Sequence, residues 1–278
     1  MIASVLLFGS VAALGQAIVD GENNYSNVGA IMVWQVDDSG RPVQLRAFAS
    51  GTLIRPRVIV TAGHFTAPTK ALAENLPPTI RFFASFSPTD VRNPRTWIPV
   101  KAQATHPSMP HCPPPQGCDP TDDTLVAPLE PGIADVGLVF LERAPANITP
   151  AVLAAPGTLD RSEGARTTIV GYGTISPADR EVPVDAWPWD GKRRIRPSTV
   201  RRIVDETWGL WSIPSYVCFG DSGGGIFLSA GSSRTADRLV ANVSDGGSDC
   251  RRHNNNNRLD TRAIQKWIDD TIKAHGEK

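Results

Sequence analysis

Apolar positions in this chain fall in short runs separated by turn-forming residues, not in long helical repeats. Ala30 to Val36, Arg46 to Ile54, Val58 to Thr61, Thr79 to Phe83, Val136 to Leu141, Thr167 to Val170, Val200 to Val204, Ile226 to Leu228 and Leu239 to Val243 all read as β-strands. Their number and spacing predict an all-β protein built as barrels or a sandwich. Helical periodicity is confined to the end, where Ile264, Trp267, Ile268 and Ile272 recur at three and four residues. Asp260 or Thr261 is placed to cap that helix, which is predicted over about 261–274. The stretch His106 to Pro131 is rich in proline and aspartate and reads as a long surface loop, with a second insertion over Ser176 to Gly191. The run Asn254 to Asn257 reads as an exposed turn.

Composition narrows this picture. With 278 residues, 41% of them hydrophobic, the chain can bury a sizeable core. Its 24 glycines and 24 prolines are scattered, which argues against a helical bundle and against a collagen-like repeat. Lysine plus arginine equals aspartate plus glutamate at 28 each, so no bulk field draws the molecule to nucleic acid or an anionic membrane. Lys192, Arg193, Arg194, Arg196, Arg201 and Arg202 do cluster, and a solvated strand face is the expected reading over a polyanion-binding patch.

Met1 to Ala17 carries no charge, and its apolar run Ile2 to Leu14 is too short to span a bilayer comfortably. With small residues at Gly15 and Ala17 it reads as a signal peptide cleaved before Ile18, so a secreted protein is expected, with no membrane anchor in its mature form. Four cysteines in an exported chain allow three pairings. Cys112 and Cys118 bracket a stiff proline-rich loop, and a local bridge there would stabilise by roughly 2 kcal/mol on the chain-entropy model.

The candidate chemistry lies in three segments. Gly220-Asp221-Ser222-Gly223-Gly224 flanks a serine with glycines, which permits a sharp turn that converges backbone N–H groups on one point. Thr61-Ala62-Gly63-His64 puts a histidine at the end of a predicted strand. Asp135 immediately precedes the apolar run Val136 to Leu141. Each has a bland alternative: a glycine-rich hairpin, a structural histidine, a solvated turn aspartate. Their order is more informative, because histidine, aspartate, serine is one of three known chain orders for a Ser-His-Asp constellation.

On these segments the chain resembles the chymotrypsin-like (trypsin-like) serine peptidases over nearly all of its mature length. Ser50-Gly51-Thr52-Leu53-Ile54 and Gly171-Tyr172-Gly173-Thr174 add to the likeness. The resemblance implies two perpendicular six-stranded antiparallel β-barrels, about 30–145 and 150–260, followed by the C-terminal helix. It implies Ser222 as nucleophile, His64 as general base, Asp135 as the residue orienting it, and the N–H groups of Gly220 and Ser222 as oxyanion hole. It further implies a Cys218–Cys250 disulfide, support of Asp135 by Ser244, and a freed Ile18 α-amine pairing with Asp221 once the signal is removed. Tyr216, Ser244, Gly246 and Arg258 are the expected pocket positions, and Tyr216 stands where trypsin-type enzymes carry aspartate. Protein or peptide substrates and proteinaceous inhibitors are the expected partners of a monomer that needs no metal or other cofactor.

The family cysteine after the histidine and its usual partner are replaced by Phe65 and Ala49, so packing is expected in place of that cross-link. Two rivals remain: a catalytically silent family member that binds partners through the basic cluster, and an α/β-hydrolase built around Ser222. The second would need its acid and histidine after the serine, where His253 is the only histidine before the terminal helix.

Overall fold

The computed structural model describes residues 18–20, 23–67, 79–109, 133–175, 188–203, 210–213, 217–229, 237–245, 250 and 254–277. The expected signal peptide, Cys112, Cys118, Tyr216 and Gly246 lie outside the described residues.

Six antiparallel strands close the first barrel: β2 (Val28–Val36), β3 (Pro42–Arg55), β4 (Val58–Thr61), β5 (Ile80–Ser85), β6 (Ile98–Thr105) and β7 (Gly137–Leu141), in the order β2-β3-β4-β7-β6-β5. Inside it pack Ile31, Val33, Leu53, Ile59, Val139 and Leu141. Phe65 and Ala49 join that same cluster, so packing does occupy the place of the missing cross-link.

The alternate residues of β2 and β7 are apolar as well. Ala30, Met32, Leu138 and Phe140 face away from the barrel interior into a larger cluster that also holds Val170, Tyr172, Phe227 and Leu239. This two-sided burial explains why β7 is a continuous apolar run and not an alternating one. The terminal helix α1 (Arg262–Ala274) adds Ile264, Ile268 and Ile272 to that cluster, one turn apart, and Thr261 caps it by accepting from the Ile264 N–H at 3.3 Å.

The second sheet contains β1 (Ile18–Val19), β8 (Arg166–Gly171), β9 (Arg194–Ile203), β10 (Leu210–Ile213), β11 (Gly225–Leu228), β12 (Arg238–Asp245) and β13 (Asn254–Arg258), in the order β1-β9-β10-β13-β12-β11-β8. Because β9 also pairs with β8, six of these strands run round in a ring, and β1 is an added edge strand on β9.

Two expectations are corrected here. Asn254 to Asn257 form no exposed turn: they make up most of β13 between β10 and β12, with Asn254, Asn256 and Asn257 buried. The basic cluster is a solvated face only in part, with Arg201 exposed and Lys192 half-buried. Arg193, Arg194 and Arg196 are buried and pair with Asp20, Asp190 and Asp221.

Candidate active site

One half of the site grows from the end of β4. Ala62 and Gly63 lead the chain out of the strand into a helical turn over residues 63–67, which carries His64. A side chain at residue 63 would not fit, since a Cβ there would lie 2.9 Å from the Val136 nitrogen and 3.2 Å from Asp135 Oδ1. That close approach lets the His64 N–H donate to Asp135 Oδ1 at 2.7 Å, while its ring Nδ1 meets Oδ2 at 2.8 Å. Ser244 Oγ donates to the same Oδ2, and Asn242 Nδ2 donates to the Asp135 carbonyl at 3.1 Å.

Asp135 is fully buried. Burial alone would raise its pKa, but the charge and hydrogen bonds of His64, with the Ser244 hydroxyl, outweigh it and hold the carboxyl below the ordinary 3.8. An ionised carboxylate only accepts hydrogen bonds, so the shared proton sits on Nδ1. The ring is 22% exposed, open enough to meet a reactant.

The other half is the turn from Val217 to Gly224. Cys218 is tied to Cys250, Cα to Cα 5.0 Å, as the resemblance implied. Gly220 and Gly223 both have left-handed backbones, at φ +88° and +78°. A Cβ on Gly220 would stand 1.9 Å from Phe48 Cε2. One on Gly223 would stand 2.1 Å from Thr61 Oγ1 and 2.6 Å from the Ala62 nitrogen, so the residue after Ser222 packs directly on the strand end that leads to His64. The N–H groups of Gly220 and Ser222 have no acceptor among the described residues.

Ser50 joins the two halves. Its N–H donates to the Ser222 carbonyl at 2.9 Å, and its carbonyl accepts from Thr61 Oγ1 at 2.7 Å. Its hydroxyl donates to the Gly220 carbonyl at 2.7 Å and accepts from the Tyr172 N–H at 2.8 Å.

No protein-family model and no curated protein sequence matches the chain. Solved structures do. A mutant of human heparin-binding protein (CAP37) superposes with a TM-score of 0.57 at 14% identity, over 93% of this chain and 95% of that one. Granzyme C superposes with the same TM-score at 16% identity, over 93% and 98%. The fold is that of the chymotrypsin-like serine proteases.

Within the chymotrypsin-like fold, Asp221 has a partner the sequence did not point to, in a chain where Ile18 is still joined to Ala17 and carries no free α-amine. Its carboxylate faces the Arg196 guanidinium at 3.1 and 3.0 Å and accepts from the N–H groups of Gly173 at 2.8 Å and Cys218 at 3.0 Å. Ile18 pairs with Ile195 as part of the edge strand β1. Arg258 does not line a pocket: its guanidinium is buried and held by Asp260 at 2.8 and 2.9 Å and by Asp160 at 2.7 Å, leaving no free charge for a substrate. Ser244 supports Asp135, as the resemblance implied.

Sequence reasoning undervalued Ser50 and missed Arg196. Parity along β9 carries a signal for the arginine, because Arg196, Ser198 and Val200 face inward while Pro197 and Thr199 are exposed.

Proposed function

We propose that the chain is a secreted serine endopeptidase acting through His64, Asp135 and Ser222. The observation that carries this reading is the buried, ionised Asp135 holding the His64 ring at 2.8 Å, next to a glycine turn packed on the same strand end. In the reaction, Ser222 Oγ bonds to the scissile carbonyl carbon as His64 Nε2 takes its proton. The carbonyl π electrons move to the oxygen, which receives hydrogen bonds from the Gly220 and Ser222 N–H groups. Each donor of this kind is worth about 3 to 4 kcal/mol in the transition state. His64 then returns the proton to the amine nitrogen as the C–N bond breaks, and a water activated the same way hydrolyses the acyl-enzyme.

Protein or peptide substrates follow from this reading, and a disulfide in the second barrel fits an oxidising, extracellular setting. The rival is a catalytically silent polyanion binder, a role suggested by the name of the heparin-binding protein of similar fold. It is disfavoured because three arginines of the basic cluster are buried in ion pairs and cannot contact a polyanion.

Covalent labelling with a fluorophosphonate separates the two. Uptake of one probe per chain, absent in Ser222→Ala, is the expected result; a folded protein that never labels favours the binder.

A further inference from the structure

Asp221 precedes the candidate nucleophile, and its position sets the turn that presents both oxyanion-hole N–H groups. It is fully buried, so it requires a cation. Arg196 supplies one from inside the fold. Its guanidinium, 2% exposed, makes a two-pronged contact with both carboxylate oxygens. Gly171 and Gly173 provide the space, since a Cβ on either would lie 2.3 or 2.2 Å from an Asp221 oxygen.

The amino-terminal segment is held by separate contacts. Ile18 and Val19 pair with Ile195 and Arg194 of β9, and the Asp20 N–H donates to the Arg193 carbonyl at 2.9 Å. The Asp20 carboxylate is buried against the Arg193 side chain at 2.9 Å and accepts from the Asn24 and Tyr25 N–H groups. Arg193 also reaches Asn23, the Val28 carbonyl and the Tyr172 hydroxyl. One strand therefore keys the chain's start through its backbone and Arg193, and the nucleophile turn through Arg196.

We infer that Arg196 is the positioning residue that orders the Cys218 to Gly224 turn, so that competence of the site does not depend on a freed amine at Ile18. This rests on the peptidase reading for its activity readout only. A strand edge tolerates residues ahead of it, whereas an amine required by Asp221 would have to be free.

The test compares the chain beginning at Ile18 with the same chain carrying Gln16 and Ala17 ahead of it, and with Arg196→Ala and Arg196→Lys. Fluorophosphonate labelling and peptide turnover report on the chemistry, and amide hydrogen exchange over residues 217–224 reports on the turn. The extended chain is expected to label within twofold of the chain beginning at Ile18 and to keep the same exchange protection. Arg196→Ala should lose at least a hundredfold in kcat with a smaller change in KM, and lose protection over 217–224 while the first-barrel strands keep theirs. Arg196→Lys, or millimolar guanidinium added to Arg196→Ala, should restore part of both.

A tenfold or greater loss of labelling or protection on adding the two residues would overturn the inference, and that arm needs no mutant to fold. So would full protection in Arg196→Ala. If no form labels, the peptidase reading fails, and the exchange measurement still decides the role of Arg196.

Discussion

Asp135 and Asp221 are built from the same parts. Both are fully buried, both accept from backbone N–H groups, and both face a basic side chain at hydrogen-bond distance. They differ in the base. The imidazole beside Asp135 is 22% exposed and can exchange a proton with a reactant, while the guanidinium beside Asp221 is sealed and stays charged at working pH. One acid can direct a proton transfer; the other can only hold a loop. Access and the titration range of the partner separate a chemical pair from an architectural one, although burial and hydrogen bonding of the two acids are alike.

The sharpest way to break this contrast is to remove one charge from each pair. Asp135→Asn keeps the volume but can donate to Nδ1, which favours the wrong imidazole tautomer. It should lower kcat about 10⁴-fold with little loss of secondary structure, measured by steady-state peptide turnover. Arg196→Met should lower stability as well as turnover, because it strands a buried carboxylate at a cost of about 3 to 5 kcal/mol, read from urea unfolding. Arg196→Met with Asp221→Asn together should recover much of that loss, since no uncompensated charge then remains. A double variant as unstable as the single one would mean that shape, not charge, dominates the Asp221 site.

A smaller effect separates the glycines beside the two acids. Gly173→Ala puts a methyl 2.2 Å from an Asp221 oxygen that is pinned on several sides, and should cost about 2 to 3 kcal/mol by overpacking. Gly63→Ala meets backbone at 2.9 Å and the Asp135 carboxylate at 3.2 Å, so about 1 to 2 kcal/mol is expected, with the larger consequence a displaced His64 and lower kcat. Thermal unfolding and turnover on both variants check the ranking.

Much of the first half of the site was legible in the sequence, because its residues carry chemistry in recognisable order and because β4 and β7 are apolar runs that could only be strands. The Gly-Tyr-Gly motif was legible as a pattern, yet its cause, room for the Asp221 carboxylate, needed coordinates. The second half was hidden by residue types that usually face water. Arg193, Arg194 and Arg196 read as surface charge, since Asp20 and Asp221, the partners of Arg193 and Arg196, are set by tertiary contacts between residues distant along the chain. Asn254 to Asn257 read as a turn because asparagine is depleted in strands, but β10 and β12 supply the ladder hydrogen bonds on both edges and override that propensity. β6 was not predicted either, because Lys101 and Gln103 interrupt a weakly apolar segment.

The smallest expected effect concerns pH and tests whether Asp135 is held as tightly as its geometry implies. Its folded-state pKa lies below 3.8, so between the folded and unfolded values the unfolded chain binds more protons, and stability rises with pH there. The stabilisation from this carboxylate is therefore complete above the ordinary value and is lost as pH falls through the lowered one. Asp135→Asn has no such titration. The difference in unfolding free energy between the two proteins should not decline from pH 7 to about 5 and should shrink below pH 4. A difference that already declines between pH 7 and 5 would place the carboxyl's pKa above its ordinary range, with burial winning over His64 and Ser244. In that case Asp135 would be protonated closer to neutral pH, and its partnership with His64 would be closer to the architectural kind than to the chemical one.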